Sequence, residues 1–234
     1  MNKHQSLNRI DLIFIIGTGL FFFSCVATTL QLARTKEPGQ AEVSAGYMHL
    51  RSIDEFSEEP GQLIGMNARM GVANNFDVGL SHAFDVSKDG EGLGNSFWGD
   101  AKIQLSNKEN ENSKLTFATG LLKGYLYKDD LDFHYTCLPL YFSVPVNDRV
   151  TPMFLYRYGL ASDGFLPNSE SFDDPRHTFA LGLEFNLKEP DPAKWVPKFA
   201  FTIGTIQSFN GDSDDSGTFL VNFGFKFDSP YGQK

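Results

Sequence analysis

Disulfides, basic stretches and long apolar segments are all scarce in this chain. Only two cysteines, Cys25 and Cys137, occur in 234 residues, so no disulfide framework staples the fold. Basic residues number 20 against 29 acidic ones, a formal net charge of -9. No basic stripe runs along the chain, which excludes nucleic acid as a partner. The one conspicuous apolar run, Leu12 to Phe23, has 12 residues, whereas a bundle of membrane helices needs repeated runs of about 20. Beyond residue 40 a helical period is also missing. Disorder is excluded in turn, because 41% of the chain is hydrophobic and such a chain buries apolar surface. What is plentiful is phenylalanine, with 23 residues, beside 22 glycines. That pairing points to an all-β protein.

The N-terminus reads as an export signal. Lys3 and Arg9 precede the 12-residue apolar run, and Ser24 puts a small residue before Cys25. The run is too short to span a bilayer by itself. A small residue before a Cys at the end of such a run resembles the lipobox of bacterial lipoproteins. The resemblance implies that residues 1–24 are removed and that Cys25 carries a diacylglyceryl group, anchored through its acyl chains. An ordinary cleaved signal is one alternative. Another is an uncleaved anchor, since extension through Leu30 brings the run to 19 residues. Residues 25–40 then read as a polar tether ending in the breaker Glu37-Pro38-Gly39.

From residue 41 onward, apolar and polar residues alternate with a period of two. Between 218 and 227, Phe219, Val221, Phe223, Phe225 and Phe227 share one face, and Leu220, Asn222, Gly224 and Lys226 the other. Between 178 and 187, Phe179, Leu181, Leu183, Phe185 and Leu187 oppose Thr178, Ala180, Gly182, Glu184 and Asn186. The pattern predicts ten strands, at 41–51, 63–72, 76–86, 96–105, 114–127, 133–146, 150–160, 176–187, 196–207 and 218–228. Most have the roughly 9–11 residues of a tilted membrane strand. Pro139, Pro145, Pro152 and Pro197 fall in or at the start of three of them and predict bulges or strand ends, because each removes a ladder donor. Links after odd strands are expected to be the longer ones, rich in Asp, Glu, Gly and Ser. Long loops on one side and short turns on the other suit a membrane barrel.

The hairpin Gly71 to Gly79 around Asn74-Asn75 and the last strand Asn222 to Phe227 are similar to those of small bacterial outer-membrane β-barrels. That resemblance implies one antiparallel transmembrane barrel over 41–228, a short tail at 229–234, and both termini in the periplasm. It also implies outer-membrane lipid, lipopolysaccharide and the barrel assembly machinery as partners. Aromatics at strand ends (Trp98, Tyr125, Tyr127, Phe133, Tyr141, Tyr158 and Phe227) are expected as interfacial girdles. A soluble secreted barrel that binds a ligand remains an alternative, since alternation is equally compatible with an apolar interior.

No enzymatic chemistry emerges. His82, His134 and His177 share the phase of Phe84, Leu138 and Phe179, so they point to lipid, where a general base would not meet a substrate in a cleft. The segment Asn210 to Gly217 has the oxygens of half a calcium loop, but Asp215 stands where Gly is needed and Val221 where the bidentate Glu belongs. Gly90 to Gly94 leads into a strand, which excludes a phosphate cradle. No cofactor and no metal ligand set is expected. The opposite phase is more informative, because Arg69, Asp77, Asp85, Asp100, Lys102, Arg157, Glu184, Lys198 and Lys226 all share it. In a narrow barrel these charges should pair across the lumen. The expected role is structural or interaction-based, through acidic extracellular loops at 129–132 and 212–215 that divalent cations could bridge to lipopolysaccharide. A narrow channel or small-solute transporter through the charged lumen is the alternative.

Overall fold

The computed structural model describes residues 30–52, 61–87, 94–106, 115–128, 131–162, 175–189, 191, 193–208 and 217–230. Residues 1–29, with the expected signal segment and Cys25, lie outside the described residues, as do the acidic positions 129–130 and 212–215. The alternating segments form ten strands: β1 (Ala41–Ser52), β2 (Gly61–Ala73), β3 (Phe76–Asp85), β4 (Asn95–Gln104), β5 (Thr116–Lys128), β6 (Leu131–Ser143), β7 (Val150–Ser162), β8 (Arg176–Asn186), β9 (Val196–Ser208) and β10 (Thr218–Asp228). Each pairs antiparallel with its neighbour in sequence, and β1 pairs with β10 to close the barrel. The closing register runs from Glu42 opposite Asp228 to Ser52 opposite Thr218. Closure leaves no strand edge with unpaired backbone groups.

The local reasons for the turns are visible. Asn74 and Asn75 make the tight connection between β2 and β3, with a register shift between Gly71 and Ala73. At the β6–β7 turn the Asn147 side-chain oxygen accepts hydrogen bonds from the backbone N–H groups of Arg149 (2.8 Å) and Val150 (2.9 Å), a local Asx arrangement. Pro139 behaves differently from the expectation of a bulge. Thr119 lies opposite Leu140 and Leu122 opposite Cys137, so the ladder lapses around the proline without slipping. The Pro139 carbonyl instead accepts a bond from the Thr119 hydroxyl at 2.9 Å. Pro145, Pro152 and Pro197 fall just past the end or near the start of strands, where a missing donor costs little.

The expected contrast in link length is weaker than the sequence suggested. Strands β5 and β6 continue until only residues 129–130 separate them, whereas β4 and β5 are joined by the longer 105–115 at the opposite end. Below, the end carrying Ala41, Asp228 and the Asn74-Asn75 turn is the turn end, and the other is the loop end.

Side chains divide cleanly by parity. On the outer face stand Val43, Ile64, Leu80, Phe97, Leu121, Leu138, Leu181, Ile203 and Phe223, all exposed, with Leu181 at 60%. The inner face carries Glu42, Asn67, Arg69, Asp77, Asp100, Lys102, Glu184, Asn222 and Lys226, all buried. Apolar residues also enter the lumen towards the loop end, in two separate groups: Met48, Leu50, Leu63, Ala83 and Leu220, and Trp98, Leu122 and Cys137. Trp98 and Tyr141 therefore correct the girdle expectation. They share the inward parity of Lys102 and Cys137 and are buried; the Lys102 ammonium sits 5.6 Å above the Tyr141 ring. The side chain of Phe133 lies outside the described residues.

Candidate functional site

The lumen gathers charges from most of the wall into two groups. The first spans β2 to β4, where the Arg69 guanidinium donates to both Asp77 and Asp100. Asp77 also faces the Lys102 ammonium at 3.5 Å. Strand β3 lies between Arg69 and Asp100 and places Gly79 opposite both. A Cβ there would come within 2.5 Å of an Asp100 carboxylate oxygen and 2.8 Å of an Arg69 nitrogen. Gly79 thus leaves the space through which the ion pair crosses an intervening strand.

The second group lies at the turn end of β1, β8, β9 and β10. Lys226 contacts Glu184 at 2.6 Å and Glu42 at 3.3 Å. Lys198 contacts Glu184 at 3.1 Å and Asp228 at 2.8 Å. The register sets like charges directly opposite each other twice, Lys226 with Lys198 and Glu42 with Asp228. Such pairs are unfavourable alone. Here each lysine is shared between carboxylates, and each carboxylate between lysines.

The cation that reconciles Glu42 with Asp228 comes from outside the wall. Lys36 reaches Glu42 at 2.5 Å and Asp228 at 2.6 Å. It belongs to a segment expected as a polar tether, of which residues 30–36 are inserted in the lumen. Leu30, Gln31, Ala33, Thr35 and Lys36 are buried. Lysines of the wall grip the main chain of this segment: Lys226 donates to the Leu30 carbonyl at 3.1 Å, and Lys102 to those of Leu32 at 2.9 Å and Arg34 at 3.3 Å. The Thr35 N–H donates to the Gln104 side chain at 3.0 Å, and the Lys36 N–H to Asp77 at 3.2 Å. The chain then reverses through Glu37 to Gln40. It bonds Gly71 through the Gly39 N–H to the Gly71 carbonyl and the Gly71 N–H to the Gln40 carbonyl, both at 2.9 Å. A Cβ on Gly71 would lie 2.2 Å from the Glu37 carbonyl oxygen, so only glycine admits the turn.

Of the sequence-predicted lumen charges, Arg69, Asp77, Asp100, Lys102, Glu184, Lys198 and Lys226 enter these two groups. Arg157 is buried on the inner face of β7, opposite Pro139 and Thr178. Asp85 is the exception. It sits at the loop end, where its carboxylate accepts from the N–H groups of Ser87 (2.9 Å) and Gly94 (2.6 Å), so it shapes the β3–β4 connection. Glu42, Asp228 and Lys36 were missed. Parity signalled the first two, because Glu42 shares the phase of Ser44 and Asp228 that of Lys226. Nothing in residues 30–40 signalled Lys36, since no alternation places it.

The histidines do not converge. His82 hydrogen-bonds the Tyr127 hydroxyl at 2.9 Å, Tyr127 stacks on Tyr125 at 5.7 Å, and Tyr125 meets His134 at 5.0 Å. His177 bonds the Tyr156 hydroxyl at 2.9 Å and meets the Tyr158 ring edge-on. These rows lie on the outer face, by the parity of Phe84, Leu138 and Phe179. Among the described residues, no three His, Cys, Asp or Glu side chains are placed to hold a metal ion.

No protein-family model and no curated protein matches the chain. Among solved structures it is similar to the KdgM porin in complex with disordered oligogalacturonate, at 10% identity and a TM-score of 0.42, covering 81% of this chain and 99% of that one. It is also similar to the outer membrane protease OmpT from Escherichia coli (11% identity, TM-score 0.39, 87% and 100% covered). A third is the attachment invasion locus protein Ail of Yersinia pestis (15% identity, TM-score 0.33, 82% and 99% covered).

Two substitutions test the lumen. Lys36→Met leaves Glu42 facing Asp228 with one cation fewer, and the loss of one partner from a buried pair costs about 3–5 kcal/mol. Its denaturant midpoint in detergent micelles should fall, and Glu42→Gln added to it should recover part of the loss. Gly79→Ala should lower stability by about 1–3 kcal/mol through crowding of the ion pair, measured in the same unfolding experiment.

Proposed function

We propose that this protein is a bacterial outer-membrane barrel with no enzymatic activity, acting as a membrane-embedded structural or interaction protein through its loop end. The observation that carries the reading is the sidedness of the wall. A soluble barrel hides its apolar parity and solvates its polar one. Here Leu138, Leu181, Ile203 and Phe225 face outward while Glu42, Arg69, Asp77, Lys102, Glu184 and Lys226 are buried inside. An outer apolar belt around a polar lumen suits lipid, which offers backbone groups no hydrogen bonds and therefore favours a closed barrel. The His–Tyr rows, apolar in body and polar at the tip, suit the level of headgroups.

In this reading the even number of strands sets Ala41 and Asp228 at one end, taken as periplasmic, and an acylated Cys25 would add an anchor on that side. The outward row Phe223, Phe225 and Phe227 of β10 supports recognition by the assembly machinery. The acidic positions Asp129, Asp130, Asp132, Asp212, Asp214 and Asp215 would meet lipopolysaccharide through divalent cations. Among the described residues, His82, His134 and His177 lie against tyrosines on the outer face, an arrangement that offers no support for catalysis.

Membrane-fraction protein run on SDS gels with and without boiling should change mobility, as closed membrane barrels do. Leu181→Arg separates the membrane from the soluble reading. In the middle of a lipid-facing belt it should cost about 2–4 kcal/mol in lipid vesicles; no loss there, together with protein in the soluble fraction, would reject the membrane assignment.

A further inference from the structure

Residues 30–36 occupy the lumen without belonging to its wall. The ladder from β1 to β10 is complete without them, and no strand pairing holds them. Where the segment passes, alanines of the wall alternate with larger apolar side chains. Ala33 packs in one cluster with Ala118, Tyr141, Leu155 and Ala180, and Leu30 in another with Met153 and Ala200. The polar grip is equally distinctive. Lys226 and Lys102 bind the carbonyls of Leu30, Leu32 and Arg34, and the chain bends at Ala33 and Arg34 so that one ammonium reaches two of them. These contacts read main chain, whereas Lys36 at the base of the segment is held by its own ion pairs with Glu42 and Asp228. Further up, the two apolar groups of the loop end are separate, one on β1 to β3 and β10, the other on β4 to β6. Among the described residues, the buried side chains of these two groups stay apart.

We propose that the lumen contains a binding groove for a peptide main chain, that residues 30–35 of this chain occupy it as a plug tethered at Lys36, and that withdrawal of the plug opens a passage for ions and small hydrophilic solutes. This goes beyond the structural role proposed above, which holds whether or not the barrel can open. The passage would be lined by Arg69, Asp77, Lys102, Glu184, Lys198 and Lys226. Lys36, paired with Glu42 and Asp228, and the reversal at Glu37 to Gln40, bonded to Gly71, form the fixed point from which the plug leaves.

The test is single-channel recording in planar bilayers on the full chain and on Ala33→Arg. Ala33 is wholly buried against the wall, so an arginine there cannot be seated. Heat-dependent gel mobility verifies the barrel in each. The full chain should stay silent and Ala33→Arg should carry steady current. A synthetic peptide of Leu30–Lys36 added to the variant should close it, and the same peptide with Ala33→Arg should not. Should Ala33→Arg fail to form a barrel, the full chain lacking residues 30–35, which keeps Lys36, takes its place. A heat-modifiable, inserted variant that stays silent would overturn the proposal, because the wall alone would then close the lumen. Steady current from the unaltered full chain, or failure of the peptide to block, would overturn it as well. Loss of heat-dependent mobility in the unaltered chain would instead reject the membrane assignment.

Discussion

A single ammonium group, that of Lys36, lies where the barrel closes on itself. Pairing β1 with β10 satisfies the last free backbone groups of the sheet, and the register of that seam puts Glu42 directly opposite Asp228. Two carboxylates in a buried lumen repel strongly, since the interaction of unit charges grows as the effective dielectric falls. Lys36 lies against both, and Lys226 and Lys198 each take one of them in turn. Closure of the wall and insertion of the N-terminal segment are therefore linked. The same residue that completes the charge balance of the seam draws the preceding main chain into the lumen.

The interior is held by exchange of partners more than by isolated pairs. Arg69 spans two carboxylates, Asp77 serves both Arg69 and Lys102, and Glu184 serves both Lys198 and Lys226. A buried ion pair adds little net stability over an apolar replacement, but removal of one member leaves an uncompensated charge. Such a network therefore acts as a constraint on register. Slipping a strand by one residue would turn its charges to the outer face and its phenylalanines to the lumen. The inserted segment takes part on the same terms, through its main-chain carbonyls and through Lys36. The outer face is indifferent to these details and asks only for an uninterrupted apolar belt.

Strand parity is legible in the sequence because its physical basis is local. Successive side chains of a strand point to opposite faces whatever the partner, so ten strands and the inward set from Arg69 to Lys226 could be read directly. Legibility ends where residue type is substituted for phase. Trp98 and Tyr141 were assigned to the outer girdle as aromatics, although their positions share the inward parity of Lys102 and Cys137. Asp85 had the right phase, but its height at the loop end gave it backbone N–H groups to bind instead of lysines. Pro139 interrupts its ladder without a bulge, because the Thr119 hydroxyl bonds its carbonyl and the register is held on both sides.

Composition and alternation by themselves determined an all-β chain of ten strands, which side chains share a face, and that one face is charged. These are properties of short stretches of backbone, legible without knowing what lies across the barrel. Which face is the inside, which charges become partners, and what fills the lumen depend on atoms far apart in sequence. Lys36 meets Asp228 across 192 positions and Lys226 meets Leu30 across 196. Residues 30–36 carry no periodic pattern that would place them. Only the closed barrel, with its acidic seam and the lysines that bind main-chain carbonyls, provides the site that takes them in.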